Sequence, residues 1–508
     1  AADGYARVSG KVGVCLATSG PGATNTVTGI ATAFSDSIPM VVLTGQVSTP
    51  LIGNDAFQEV DIVGITRPCT KHNFLVKDVR DLALTLRKAF YLARSGRPGP
   101  VLVDIPKDVQ QAKCEFVWPS DVAMRSYCPT FRANLNQLRR AMDVLVTSRK
   151  MLIIAGGGVI MANAAEELAM LAHAMHAPVT GTLMGLGAFP GDDPLWLGML
   201  GMHGTYAANK AVSEADVILA VGTRFDDRIT GNLERFAPHA RIVHIDIDPT
   251  TLRKNVRVEV PVVSDCLSAL QGLRAILESG HAVKDWRGDH AEWVEQVGNW
   301  DREHPISWTR GEHLKPQQVL EALSACTGGR AIITTEVGQN QMWAAQFIRY
   351  DRPRTFVTSG GLGTMGYGLP AAIGAQLALP DRLVVDVAGD GSIQMNSQEL
   401  MTAVENRLPV KILILNNRFL GMVRQWQELF YDTNYVATDM RGQPDFVRLA
   451  EAYGAEGYRI TNEEELEEIL PRALASPRTA VIDVVVEREE NVSPMVPAGA
   501  ALDEMLIV

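Results

Sequence analysis

The sequence predicts an α/β protein made of three doubly wound parallel-sheet domains. Apolar runs of strand length alternate with amphipathic, helix-length stretches over most of the chain. Glycine-bearing turns follow several of those runs, as in strand–turn–helix units. The 508 residues are enough for about three domains, each with its own core.

Residues 1–112 form the first expected unit. Its opening residues read as the interior of a helix, and its strands are expected at 12–17, 40–44 and 101–104. The segment 18–25 leads from the first strand into a helix ending near Ser35. Residues 113–135 lack periodicity and contain Trp118-Pro119 and Cys128-Pro129, which suits a linker. The second unit, 136–280, has strands at 151–155, 217–221 and 242–246 and a helix over 164–175. A second linker, 281–314, is rich in Trp, Asp, Glu and Arg and includes a surface helix. The third unit, 315–485, opens with a helix over 316–326, and the tail 486–508 is irregular.

Composition narrows the function classes. The chain is 46% apolar and 21% charged, with a net charge of −11. No Lys/Arg stripe is present, so a nucleic-acid partner is not expected. No apolar run approaches the ~18 residues of a membrane span. Six scattered cysteines, with no C-x-x-C and no Cys/His cluster at zinc spacing, suit reduced thiols in the cytoplasm.

The sharpest signal is Gly389-Asp390-Gly391-Ser392 followed at a distance by Asn416-Asn417. Apolar runs at 383–388 and 410–415 flank a helical pattern over 393–407. Asp390 and Asn417 then leave the carboxyl ends of neighbouring parallel strands, where α/β sheets bind ligands. Both offer hard oxygen atoms, suited to a Mg²⁺ that also holds a diphosphate. Gly391 admits close backbone approach, and the following helix is expected to point free N–H groups at the diphosphate. At average residue usage a GDG arises in roughly one such chain in ten, and the Asn pair cuts this to about one in a thousand. The spacing resembles the thiamin diphosphate motif.

A second glycine cluster, 358–370, lies between an expected strand at 354–357 and a helix over 371–378, with Pro370 in its first turn. With Val337-Gly338-Gln339 and 420–423 it offers backbone to a flat cofactor rich in heteroatoms. Gly156-Gly157-Gly158 follows a strand, but without a full G-x-G-x-x-G it is weak evidence of a nucleotide.

The strings TSGPGATN (18–25), FQE (57–59), GRPGPVLVDIPKD (96–108), GMLGMHG (198–204), RFDDR (224–228), GLGTMG (361–366) and GMVRQWQ (421–427) resemble the acetohydroxyacid (acetolactate) synthase family, large catalytic subunit, bacterial type. The resemblance spans the chain in order. It implies three domains, binding in turn the thiamin pyrimidine, FAD, and the thiamin diphosphate with Mg²⁺. It also implies that pyruvate is decarboxylated and its two-carbon unit joined to pyruvate or 2-ketobutyrate.

Roles follow from the resemblance position by position. Asp390, Asn417 and the Phe419 carbonyl would hold Mg²⁺. Val337, Gly338, Gln339, Gly363, Met365, Gly389, Gly391, Ser392 and Met422 would contact thiamin diphosphate. Pro21 and Asn25 would do so from the partner's first domain, which implies a homodimer or homotetramer. Gln58, Lys107, Arg228 and Trp426 would line the substrate pocket, with Met365 shaping the cofactor. On residue type alone, Met365 could fill a core gap, Trp426 could be ordinary core, and Arg228 could pair with Asp226 or Asp227. Flavin contacts would come from Arg97, Gly156, Gly157, Thr182, Leu183, Met184, Leu200, Gly201, Met202, His203, Gly222, Arg224, Asp226, Arg228, Asp246 and Asp265. A small regulatory subunit would be separate.

This sequence departs from the family's pattern in three places. The glutamate that protonates the aminopyrimidine is expected a few residues upstream of Ala1, together with the first strand and its glycine turn. Asn340 stands where the family usually has His, and Glu336 is also unusual. Two other readings stay open: another FAD/thiamin enzyme, such as a pyruvate oxidase or glyoxylate carboligase, and an inactive or binding homologue.

Overall fold

In the computed structural model, which describes residues 1–122, 124–280 and 283–507, the strands form three sheets, each parallel throughout. The first sheet contains β1 (Gly13–Ala17), β2 (Met40–Gln46), β3 (His72–Leu75) and β4 (Pro100–Pro106), in the order β1-β2-β4-β3. The second contains β5 (Met151–Ala155), β6 (Val179–Gly181), β7 (Trp196–Met199), β8 (Val217–Val221), β9 (Arg241–Asp246) and β10 (Val260–Val263), in the order β10-β9-β8-β5-β6-β7. The third contains β11 (Ile332–Thr335), β12 (Phe356–Val357), β13 (Val384–Gly389), β14 (Lys411–Asn416), β15 (Glu456–Ile460) and β16 (Ala480–Val485). Its order is β12-β11-β13-β14-β16-β15. Every residue of β5, β8, β11 and β14 is buried, because helices cover both faces of these sheets.

The third sheet has a switch point. The chain leaves β11 for β12 on one side, then returns to β13 on the other. Ligands of open α/β sheets bind in the crevice formed there. Gly389 pairs with Leu415 in register, so Asp390 and Asn417 do leave adjacent strand ends.

The units are tied together by close backbone contacts. Helix Ala2–Ser9 lies on helix Gly368–Ala378. A Cβ at Gly374 would fall 1.9 Å from the Ala1 carbonyl oxygen, so only glycine allows that approach. The Arg354 guanidinium donates to the carbonyls of Arg7 and Ile160 and to Asn163 Oδ1, joining all three sheet units.

Several sequence expectations need correction. The single helix expected over 393–407 is a 3₁₀ turn, Ile393–Met395, and a separate helix, Glu399–Glu405. Side chains divert the chain between them: Gln394 donates to the Asp390 carbonyl and Asn396 to the Gly366 carbonyl. The strand expected at 354–357 shrinks to Phe356–Val357, because Arg354 has a left-handed φ of 65°. Residues 421–423 offer backbone as the first turn of helix Gly421–Phe430. The surface helix expected in 281–314 is Trp286–Glu303, and it buries Trp286, His290, Trp293 and Val297. The irregular tail packs inward, with Val492, Met495 and Val496 buried.

Candidate active site

Asp390 is 1% exposed, and its Oδ2 has no hydrogen-bond partner among the described residues. Burial pushes its carboxyl up to about 7. A buried carboxylate without a counter-charge is costly, and a divalent cation satisfies it. Asn417, 5% exposed, turns its Oδ1 toward the Phe419 N–H at 3.0 Å, which leaves that oxygen a second lone pair. The donor set therefore fits Mg²⁺.

Asp390, Asn417 and Phe419 line a narrow crevice of about 70 Å³ with Val337, Gly338, Gln339, Met365, Gly389, Gly391, Ser392 and Met422. At Gly391 a Cβ would fall 2.5 Å from Leu420 Cδ2, so any larger residue would push the Leu420 side chain aside. The helix N-terminus expected after Ser392 is not there. Two others border the crevice instead, those of helices Gln339–Phe347 and Gly421–Phe430. The Gln339 carboxamide is itself committed, donating to Gln425 and to the Glu490 carbonyl and accepting from Asn417. Only its backbone N–H is free to serve an anion. Asn340 donates to the carbonyls of Glu336 and Val387, and so braces the strand ends from below.

Val337, Gly338, Met422 and Val423 line both this crevice and a much larger cavity of about 940 Å³. That cavity is lined by Arg97, Gly157, Thr182, Leu183, Met184, Leu200, Met202, His203, Gly222, Arg224, Asp226, Arg228, Asp246 and Asp265. Gly156 and Gly201 are not in its wall but support it. A Cβ at Gly156 would fall 2.1 Å from the Gly222 carbonyl oxygen, and one at Gly201 2.4 Å from that of Arg228. The glycine floor, the volume and an acidic strand end at Asp246 suit a dinucleotide. Burial pushes the Asp246 carboxyl up to about 6, and the nearby Arg97 opposes the rise. Burial also drives the His203 imidazole down to about 4; its Nδ1 faces the Pro494 carbonyl at 3.2 Å, so the neutral ring carries its hydrogen there.

Arg228 and Trp426 meet in the same cavity wall as Gly363. The Arg228 side chain is 58% exposed; its guanidinium pairs loosely with Asp227 at 3.6 Å and donates to the Met202 sulfur at 3.6 Å, both weak contacts that a carboxylate would outcompete. Trp426 is half-buried and edge-on to Phe430 at 5.5 Å.

Four expected site residues lie elsewhere. Pro21, Asn25, Gln58 and Lys107 line neither space. All are exposed, beyond the carboxyl ends of the first sheet's strands. A Cβ at Gly20 would fall 2.9 Å from Gln58 Cβ, so the 18–25 turn and Gln58 adjoin.

Sequence reasoning missed the role of Asp36. It sits at the end of helix Val27–Ser35 and accepts the N–H groups of Gly360 and Gly361. Nothing local marks it, because the contact joins residues far apart in sequence. Glu336 was noticed only as unusual; in the structure it accepts from Gly366 and Leu369.

A crevice with a carboxylate and an amide at adjacent strand ends, opening on a dinucleotide-sized cavity, defines a diphosphate-cofactor enzyme. Three domain models, each described as thiamine pyrophosphate enzyme, match it: the N-terminal TPP binding domain over residues 1–65, the central domain over 138–273, and the C-terminal TPP binding domain over 336–484. The isozyme 3 large subunit of acetolactate synthase from Escherichia coli K12 is 51% identical over 99% of this chain and 89% of its own length. Acetolactate synthase large subunits of Haemophilus influenzae and Corynebacterium glutamicum are each 48% identical, over 100% and 99% of this chain and 89% and 81% of their own. The chain belongs to the acetolactate synthase large-subunit family of thiamine pyrophosphate enzymes.

Proposed function

We propose that this chain catalyses acetolactate synthesis for branched-chain amino-acid formation. Pyruvate is decarboxylated, and its two-carbon unit is joined to pyruvate or 2-ketobutyrate, giving 2-acetolactate or 2-aceto-2-hydroxybutyrate. One observation carries this reading: the Asp390/Asn417 crevice opens directly onto a cavity holding Arg228 and Trp426. Thiamin diphosphate, when bound, supplies the electron sink for decarboxylation and carboligation.

The chain's residues do the rest. Asp390, Asn417 and the Phe419 carbonyl hold Mg²⁺. Gly338, Gly389, Gly391 and Ser392 would hold the diphosphate through their backbone, and Gly363 and Met365 would contact the rest of the thiamin diphosphate. Arg228 receives the 2-ketoacid carboxylate through its planar guanidinium. Trp426 beside it selects the acceptor's alkyl group by shape. The large cavity would hold FAD, with the glycine floor, Arg97 and Asp246 among the residues that would contact it.

Pro21, Asn25, Gln58 and Lys107 act in the site of a second copy, so the working unit is a homodimer or homotetramer. Their exposure, with Phe57 at 88%, supports this arrangement. A small regulatory subunit completes the enzyme, in keeping with the relatives' designation as large subunits. The cytoplasm is the compartment proposed, since all six cysteines are unpaired. No helix among the described residues is long and apolar enough to cross a membrane.

Trp426→Leu tests the pocket. With both acceptors in competition, the preference for 2-ketobutyrate over pyruvate is expected to fall about 10-fold or more, because a shape contact of this size discriminates over that range. An unchanged product ratio would remove Trp426 from acceptor selection.

A further inference from the structure

The irregular segment between β12 and helix Gly368–Ala378 carries both Gly363, in the wall of the large cavity, and Met365, in the wall of the crevice. Such a segment, with φ of 70° at Gly363 and 82° at Gly366, has little conformational preference of its own. Two buried carboxylates hold it. At its start, Asp36 Oδ2 and Oδ1 accept the N–H groups of Gly360 at 3.1 Å and Gly361 at 2.7 Å. At its end, Glu336 Oε2 and Oε1 accept those of Gly366 at 2.6 Å and Leu369 at 3.3 Å.

The two anchors come from different units. Asp36 belongs to the first and has a fully buried side chain, ion-paired to Arg7 at 2.8 Å. Glu336 directly follows β11 and is fully buried. No cation pairs with it among the described residues; the buried Asp386, whose carboxyl is pushed well up by burial and by the Glu336 charge, is its electrostatic neighbour. Both Glu336 oxygens accept N–H groups, which favours the anion, while burial pushes the carboxyl up to about 7. A buried carboxylate held by backbone amides is costly to keep charged, and here its bonds go to the end of the segment bearing Met365 and to the first turn of the helix that follows.

We propose that Asp36 and Glu336 are positioning residues for thiamin diphosphate: a two-carboxylate clamp that sets the height of Gly363 and Met365 between the crevice and the cavity. The clamp rests on the reading of the crevice as a thiamin diphosphate site, and its test separates the two. Full-length protein loaded with FAD and Mg²⁺ is titrated with thiamin diphosphate. Affinity is read from quenching of tryptophan fluorescence, and cofactor conformation from the near-ultraviolet circular dichroism of the bound pyrimidine.

Glu336→Gln and Asp36→Asn keep the side-chain shape but lose one charged acceptor. Each is expected to weaken thiamin diphosphate binding roughly 10-fold or more and to alter the dichroism band, while flavin content stays at the wild-type level. Glu336→Asp keeps the charge but shortens the reach, and is expected to recover part of the affinity; it is read in the same way if the Gln variant does not fold. Wild-type affinity and dichroism in the folded variants would overturn the clamp, even if thermal stability fell. Loss of flavin from both Glu336 variants would also overturn it, by making the carboxylate a support of the fold alone. Failure of the wild-type protein to bind would instead sink the cofactor reading beneath it.

Discussion

Asp390→Ala is expected to lower acetolactate formation by at least about 100-fold, since a direct metal ligand should matter more than the outer partners of ligands. The loss should come with an unusual stability pattern. Asp390 is buried, its Oδ2 is unpartnered among the described residues, and burial pushes its carboxyl up to about 7 against the backbone N–H groups of Arg418 and Gly391. Removing it relieves that burden, and the cofactor-free variant should melt no lower than the cofactor-free wild type. What disappears is the added stability from Mg²⁺ and thiamin diphosphate, about 2.7 kcal/mol at 100-fold saturation in the wild type. Differential scanning fluorimetry with and without both ligands measures this. A variant that still melts higher on adding them would contradict the assignment of Asp390 to the metal.

The second large effect is expected at the floor of the large cavity. Gly156→Val would place a Cβ 2.1 Å from the Gly222 carbonyl oxygen, a backbone atom that cannot swing away. Gly158 is equally confined, with its own Cβ position 2.7 Å from Gly222 Cα, so the two loops cannot separate without moving β5 against β8. Overpacking of this kind costs about 1–3 kcal/mol or more. The displaced loop would also fill space next to Gly157 and Gly222, which line the cavity. Purified Gly156→Val protein should therefore retain little flavin, as judged from flavin absorbance relative to protein. Full flavin retention would mean that FAD binds elsewhere or that the floor is softer than its contacts indicate.

Much of the candidate site was legible in the sequence because it is set by strand ends. Asp390 and Asn417 each directly follow a strand built on an apolar run, and the strand–turn–helix–strand pattern makes the two strands parallel neighbours. Strands 151–155 and 217–221 were legible for the same reason: both are short apolar runs buried on both faces. The failures have a different cause. The expected helix 393–407 broke because Asn396 and Gln394 bond backbone carbonyls outside it, a competition invisible to hydrophobic periodicity. The Gln339 carboxamide bonds the tail at Glu490, a contact between distant segments that no local pattern announces. Asp36 and Glu336 were hidden for a related reason, since they accept backbone N–H groups of distant residues, which leave no side-chain pattern to read. Gln58 and Lys107 carry a functional expectation only from resemblance, because on this chain they lie exposed and away from both spaces.

The reaction itself is tested most directly by product analysis under nitrogen. Full-length protein is supplied with pyruvate, thiamin diphosphate, Mg²⁺ and FAD, and the products are identified by mass spectrometry. Acetolactate and carbon dioxide should form in equal amounts, at a rate that does not change when oxygen is admitted. Acetate or acetyl phosphate formed only with oxygen, or turnover of glyoxylate in place of pyruvate, would contradict acetolactate synthesis and point to a different flavin- and thiamin-dependent enzyme.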